Sequence, residues 1–252
     1  MIDIHSHLLP GIDDGPATPA ESVRMARKAV ASGTTTMVCT PHMLPRRPTP
    51  PEAVHAGVAA LRAELEAADV PLAIVPGGEI ALERLRAMDD AQLAAASLGG
   101  GGRWLLLEMP FAGWPLDLTR ILDDLEIRGF RAVLAHPERA QSVQRRPDRL
   151  RDAIGRGALT QITASSLTGE HGPAADRTAR ALLRTGWAHL MASDAHSAEW
   201  RDPDMRPGLA AAAAELGGTG EDLDWMVREG PELVIAGKDV RVPRGPGATS
   251  RR

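Results

Sequence analysis

At 252 residues, with 43 % apolar residues, the chain is long enough for one large α/β domain with a substantial core. A formal charge of -4, 3 % aromatic content and no tyrosine exclude the basic field and stacking platforms of a nucleic-acid binder. Cys39 is the only cysteine, so an intrachain disulfide is excluded and a reducing cytoplasm is expected.

The chain opens MIDIHSHLLPGIDDG, without the basic start and apolar run of a signal peptide. No later stretch reaches the roughly 18 apolar residues of a membrane helix, so the expectation is a cytoplasmic protein without membrane insertion. Ile2–His5 reads as the first strand. Thr18-Pro19-Ala20-Glu21 then places a capping hydroxyl, a first-turn proline and a glutamate three residues after the cap. Val23, Ala26 and Val30 recur on one face of the helix so begun, and Gly33 stops it. Further strands are expected at Thr34–Cys39, Leu72–Val75, Trp104–Glu108, Arg131–Ala135, Leu159–Thr163 and Ala188–Ala192. Helices are expected between them at Glu52–Ala68, Leu116–Arg128, Arg149–Arg156 and Ala174–Thr185. Such alternation implies parallel strands with right-handed crossovers. Seven units of unchanging texture favour a single-domain barrel over residues 1–240, with the open doubly wound sheet as runner-up. Gly99–Gly102 is expected to be a flexible joint, and 241–252, rich in Pro, Gly and Arg, a disordered tail.

The chemistry gathers at the strand ends. His5 and His7 close the first strand; His42 follows the second; Glu79 follows the third after Pro76-Gly77-Gly78. Glu108 ends the fourth, His136 follows the fifth, and Asp194 with His196 follows the seventh. Parallel strands deliver all of these side chains to one rim, where the active site of a β/α barrel sits. A lone histidine at a strand end is more often a packing residue than a ligand. Here five of the eight histidines follow strands, and carboxylates crowded beside them repel one another unless a divalent cation joins them. Imidazole and carboxylate donors suit manganese, zinc or iron. Cys39 in the β-run TMVCT reads as a buried small hydrophobe, and Ser165 and Ser166 as structural or substrate-contacting residues.

Seven segments carry a resemblance: MIDIHSHLLPGIDDGP from Met1, Thr40-Pro41-His42, Gly77-Gly78-Glu79-Ile80, LLEMPF from Leu106, AHPER from Ala135, ASSLTG from Ala164 and ASDAH from Ala192. They resemble the PHP superfamily (polymerase and histidinol phosphatase). More narrowly, they resemble its bacterial tyrosine-protein phosphatase branch, the CpsB/YwqE-type enzymes of capsule and exopolysaccharide gene clusters. The resemblance implies a distorted (β/α)7 barrel of TIM-like type and three divalent metal ions, manganese first, with zinc or iron as alternatives. By the same token His5, His7, Glu79 and Asp194 hold the first ion. Glu79 bridges to a second, with Glu108 and His136, and Asp14, His42 and His196 take a third. Asp14 is the least secure of these because Asp13 adjoins it. Thr163 stands where this branch often shows Asn.

The reaction so implied is attack on phosphotyrosine by a metal-bridging hydroxide, with no protein nucleophile. Arg139 is the leading phosphate clamp, because a planar guanidinium fork suits phosphate, and Arg201 the second candidate. Arg46 and Arg47, in the loop after His42, read either as a contact for an acidic phosphopeptide or as a solvated loop. The catalytic set is therefore Arg139, His136 and Asp194, with Asp194 or a metal-bound water as alternative proton donors. The implied substrate is a phosphotyrosine protein such as a tyrosine kinase of polysaccharide export, and the Glu21–Arg27 helix face is a candidate homo-oligomer contact. Rivals are a small-molecule phosphoesterase acting on a substrate such as histidinol phosphate, an inactive regulatory module and an amidohydrolase. The last usually needs a mid-barrel lysine, and no lysine lies between Lys28 and Lys238. His55, His171 and His189 match no ligand position and read as surface or packing residues.

Overall fold

Helix α1 (Pro19–Ala31) begins as its capping sequence demands. The Thr18 hydroxyl accepts from Glu21 N while the Glu21 carboxylate accepts from Thr18 N, satisfying both donors reciprocally. Strands β1 (Ile2–Ser6) and β2 (Thr36–Cys39) flank it in the chain, paired in parallel. The computed structural model describes residues 1–218 and 223–242. The remaining elements alternate as expected. They are β3 (His42–Met43), α2 (Pro51–Ala67), β4 (Ala73–Pro76), β5 (Glu79–Ala81), α3 (Asp90–Ala95), β6 (Trp104–Glu108), α4 (Leu118–Ile127) and β7 (Arg131–Ala135). After them come α5 (Gln141–Arg145), α6 (Arg151–Gly155), β8 (Leu159–Thr163), α7 (Gly172–Arg184), β9 (Leu190–Ala192), α8 (Arg206–Glu215) and α9 (Gly230–Ile235).

Every named strand pair is parallel, in the orders β1-β2-β4 and β3-β5-β6-β7-β8-β9. The two sheets run on from each other because β2 continues into β3 through Thr40-Pro41, and β4 into β5 through Gly77-Gly78. Counted that way, seven strand positions stand in barrel order. Their seam is a bridge between Ser6 and Ala195, with Asp194 N donating to His5 O (2.9 Å) and His7 N to Ala195 O (2.9 Å). An open doubly wound sheet has no such seam.

β6 and β7 are buried on both faces, which is why they read as continuous apolar runs. Leu105, Leu107, Ala132, Leu134, Met37 and Cys39 pack toward the helices, in one cluster with Met25, Val58 and Leu182. Their alternates Trp104, Leu106, Val133, Ala135, Leu159, Leu190 and Ala192 form an inner cluster with Ile4 and Val38, joined by Val234 of α9. With a period of two, the inner rows that begin Trp104-Leu106, Leu159 and Leu190-Ala192 continue to Glu108, Gln161 and Asp194. The inner face thus changes from apolar to polar toward the C-terminal strand edge.

Some boundaries differ from expectation for physical reasons. β3 and β5 are two and three residues long, too short to show a period. Pro147 opens a separate 3-10 turn, Pro147–Leu150, so only Arg151–Gly155 of the helix expected at Arg149–Arg156 is α. α8 is an alanine run without apolar contrast, and neither it nor α9 is apparent in the sequence rhythm. The Gly99–Gly102 stretch is not a loose joint. A Cβ on Gly101 would stand 2.8 Å from both Ile235 O and Gly237 N, so the glycines let this turn pack directly on the C-terminal backbone. Val240 and Val242 pack against the inner cluster, while 243–252 lie outside the described residues.

Candidate metal centre

All nine residues expected to be ligands converge at the C-terminal edge of the strands. They form four overlapping groups, each with donor atoms within 4.8 Å of one another: His7-Asp14-His42-His196, His5-Glu79-His136, His5-His7-Asp194 and His42-Glu79-Glu108. Glu79 is fully buried at the centre. Its Oε1 lies 2.8 Å from His136 Nε2, and its Oε2 3.4 Å from both His5 Nε2 and His7 Nε2. Asp194 Oδ1 stands 3.3 and 3.4 Å from the same two histidine nitrogens.

The histidines are aimed from behind. His5 Nδ1 meets Gln161 Oε1 at 2.9 Å, His7 Nδ1 meets Asp13 Oδ2 at 2.7 Å, and His196 Nδ1 meets the Asp194 carbonyl at 2.9 Å. Each of these bonds fixes the tautomer and turns Nε2 into the cluster, the arrangement that outer partners impose on metal-ligating histidines. Asp13 and Asp14 therefore divide their work. Asp13 orients His7 and accepts from the backbone of His42 (3.0 Å) and Gly15 (3.0 Å), whereas Asp14 reaches His196 Nε2 at 3.3 Å and His42 Nε2 at 3.6 Å. Gly15 is obligatory in this turn, since a Cβ there would lie 2.2 Å from His7 O.

The electrostatics follow from crowding. Burial opposes ionisation of Glu79 and Asp194, yet the surrounding imidazoles, with Arg201 beside Asp194, hold both carboxyls well below the usual range. Burial and then the Glu79 carboxylate push Glu108 up to about 7. Burial lowers His136 and His196, keeping them in the neutral form that donates a lone pair. Several buried atoms find no hydrogen-bond partner, among them Glu79 Oε2, Asp194 Oδ1, His42 Nδ1, His136 Nδ1 and His196 Nε2. His42 Nδ1 and Glu79 Oε2 lie 2.9 Å apart without the alignment of a hydrogen bond. Buried polar atoms are normally paired, so orphans concentrated among carboxylates and imidazoles fit divalent cations.

The backbone is strained at the same place. Asp69, His136, Asp194 and Arg201 are the non-glycine residues with positive φ among those described, and three of the four belong to the site. Arg139 Nη1 and Arg201 Nη2 both donate to Asp194 Oδ2, at 2.5 Å each, which sets two guanidinium groups at the rim. Arg46 is exposed and lines a groove beside Glu108.

Gln161, Asp3 and Glu138 also serve the site, although the sequence did not mark them. Buried Asp3, pushed up to about 6 by burial, accepts from Ser193 N, Ser193 Oγ and His5 N, tying β1 to the Asp194 loop. Glu138 Oε1 accepts from Thr163 N (2.9 Å) and Ser166 Oγ (2.7 Å), locking the AHPER turn to the ASSLTG turn. Thr163 thus contributes its backbone. His171 bonds Ser165 (3.1 Å), and burial followed by the charge of Arg139 lowers it to about 4, so it stands at the rim rather than on a remote surface.

A family model, capsular polysaccharide synthesis CpsB/CapC, matches residues 1–231. The chain belongs to the CpsB/CapC family. It is 34 % identical over 241 residues to the tyrosine-protein phosphatase YwqE of Bacillus subtilis (strain 168), covering 95 % of this chain and 93 % of that one. It is 32 % identical over 200 residues to the putative tyrosine-protein phosphatase CapC of Staphylococcus aureus, covering 78 % and 77 %. Among solved structures it superposes with a TM-score of 0.86, at 32 % identity and 96 % and 97 % coverage, on one from a study of YwqE of B. subtilis and CpsB of Streptococcus pneumoniae. Those two are described as unique metal-dependent tyrosine phosphatases. Among the described CpsB/CapC residues, no helix is long and apolar enough to cross a membrane.

Proposed function

We propose that this chain is a metal-dependent phosphatase that hydrolyses phosphotyrosine on proteins. The observation that carries the reading is the nine-residue cluster, six members buried, His42 and Glu108 half-buried and Asp14 at its exposed edge, with its orphaned donor atoms. The family, together with the activity named for its relatives, supplies the substrate class. Three divalent ions, manganese first, match the donor set: His5, His7, Glu79 and Asp194 for one; Glu79, Glu108 and His136 for the next; Asp14, His42 and His196 for the third. When bound, such ions supply Lewis acidity and an activated water at neutral pH.

The protein's own groups do the rest. Glu79 holds the centre together, because its two oxygens face four histidines. Arg139 and Arg201 present the N–H groups left over from Asp194 to phosphoryl oxygens, neutralising charge as the ester bond breaks. Asp194 positions both guanidinium groups; held ionised by them and by the surrounding imidazoles, it carries no proton for the leaving group. The exposed Arg46 offers a positive contact to an acidic peptide. Cys39 is fully buried, and burial raises its thiol far above the usual range, so it is no nucleophile. A cytoplasmic tyrosine kinase of capsule or exopolysaccharide synthesis is the proposed substrate.

Hydrolysis of a phosphotyrosine peptide and of histidinol phosphate, compared at equal concentrations of metal-loaded protein, tests the substrate class. Higher kcat/KM on the peptide is expected; a clear preference for histidinol phosphate would overturn it.

A further inference from the structure

One side of the metal centre is aromatic and open. Phe111 follows β6 in the LLEMPF segment and is 46 % exposed, although large apolar side chains are mostly buried elsewhere. Its ring lies parallel to the His136 imidazole, with centroids 5.7 Å apart and planes inclined by 7°. The Arg139 guanidinium sits over the same ring, 5.0 Å from its centroid. Phe111 O accepts from Gln141 N (2.9 Å), so its backbone is pinned to the start of α5, the helix that follows the AHPER turn. The ring therefore belongs to the same rigid unit as a cluster histidine and the leading phosphate clamp.

A groove of about 390 Å³ runs outward from this point. Leu44, Pro45, Met109, Pro110 and Phe111 give it an apolar wall; Glu108 of the cluster stands at its inner end, and Arg46 at its rim. Arg139 lies over Phe111, which lines the groove, so a phosphoryl group held by Arg139 has this apolar wall beside it for the group that it carries. A flat π-face with apolar neighbours suits an aromatic ring and gives an alkyl chain no comparable partner.

We propose that this groove receives the leaving-group ring of an aryl phosphate, and that Phe111 selects aromatic over alkyl esters. The inference deepens the phosphotyrosine reading and rests on it for the substrate class. Trp200, 58 % exposed beside His196 on a different groove, is the control aromatic.

The test measures binding rather than turnover. Phenylphosphonate and methylphosphonate, neither of which is hydrolysed, are titrated calorimetrically into metal-loaded wild type, Phe111→Ala, Phe111→Tyr and Trp200→Ala. Wild type is expected to favour phenylphosphonate by about tenfold. Phe111→Ala should abolish that preference with methylphosphonate affinity unchanged, while Phe111→Tyr and Trp200→Ala keep it. Three results would overturn the inference: no phenyl preference in wild type, loss of the preference in Trp200→Ala, or equal weakening of both ligands in Phe111→Ala. The last would make Phe111 a mere brace for His136 and Arg139. Retained phenyl preference without phosphotyrosine turnover would sink the proposed function and leave the aryl wall standing.

Discussion

Adjacent aspartates with different jobs show what single residues decide here. Asp14 reaches the His42–His196 group, whereas Asp13 stands behind His7. Asp14→Ala is therefore expected to lose one bound ion, counted by plasma mass spectrometry. Asp13→Asn should keep the count but bind metal about 10-fold to 100-fold more weakly. An unchanged count in Asp14→Ala would contradict this division. Arg139→Lys keeps the charge but loses the planar fork, so kcat/KM on phosphotyrosine peptide should fall about 100-fold; near-wild-type turnover would remove Arg139 from the clamp. The nine cluster residues were legible because each sits at or just past a strand end or in the HSHLLPGIDDG segment. Their orienting partners were not. Gln161 lies inside the strand LTQIT, where only its two-residue register with Thr163 and Leu159 shows which way it faces, and Asp3 looks like any polar residue at the start of a chain.

At the scale of elements, local signals worked where one chemistry dominates. The Thr18–Glu21 capping box fixed the start of α1 in sequence and structure alike. Thr18→Ala should lower unfolding stability by about 1 kcal/mol in urea titration, with metal content unchanged; no loss would mean that tertiary packing alone sets the start of α1. Strands β6 and β7 matched their expected limits because apolar runs buried on both faces end abruptly in polar turns, and β8 (LTQIT) matched on its β-branched residues. The two-residue β3 exists because Glu79 N donates to Pro41 O and His42 pairs with Glu79, a partnership some forty residues distant that no local window contains. Gly99–Gly102 misled for the same reason. Glycine-rich sequence looks loose, but here the missing side chains admit the backbone of Ile235 and Gly237, which only the fold brings near.

For the whole molecule, the parallel strands were legible in the alternation of strand and helix, while the seam was not. It depends on Ser6 meeting Ala195 across almost the full chain. Global stability also carries a pH signature from outside the metal centre. His189 is buried, its Nδ1 accepts from Thr160 N at 3.0 Å, and burial pushes it down to about 4. An unfolded histidine titrates near 6.5, so the folded state binds fewer protons between those values. Stability is therefore complete above about pH 6.5 and declines as pH falls toward about 4, a loss of about 2 kcal/mol by pH 5. His189→Gln should remove that part of the pH dependence in urea midpoints compared at pH 7 and pH 5. An unchanged pH slope would contradict it.

The proposed function requires the cluster to be a metal centre that acts on phosphotyrosine. Its most direct test is hydrolysis of a phosphotyrosine peptide by metal-stripped protein with manganese added back, in wild type and His136→Ala. Activity should be absent after stripping, return with manganese in wild type, and stay at least about 100-fold lower in His136→Ala. Full activity in the stripped protein, or equal recovery in His136→Ala, would contradict the account.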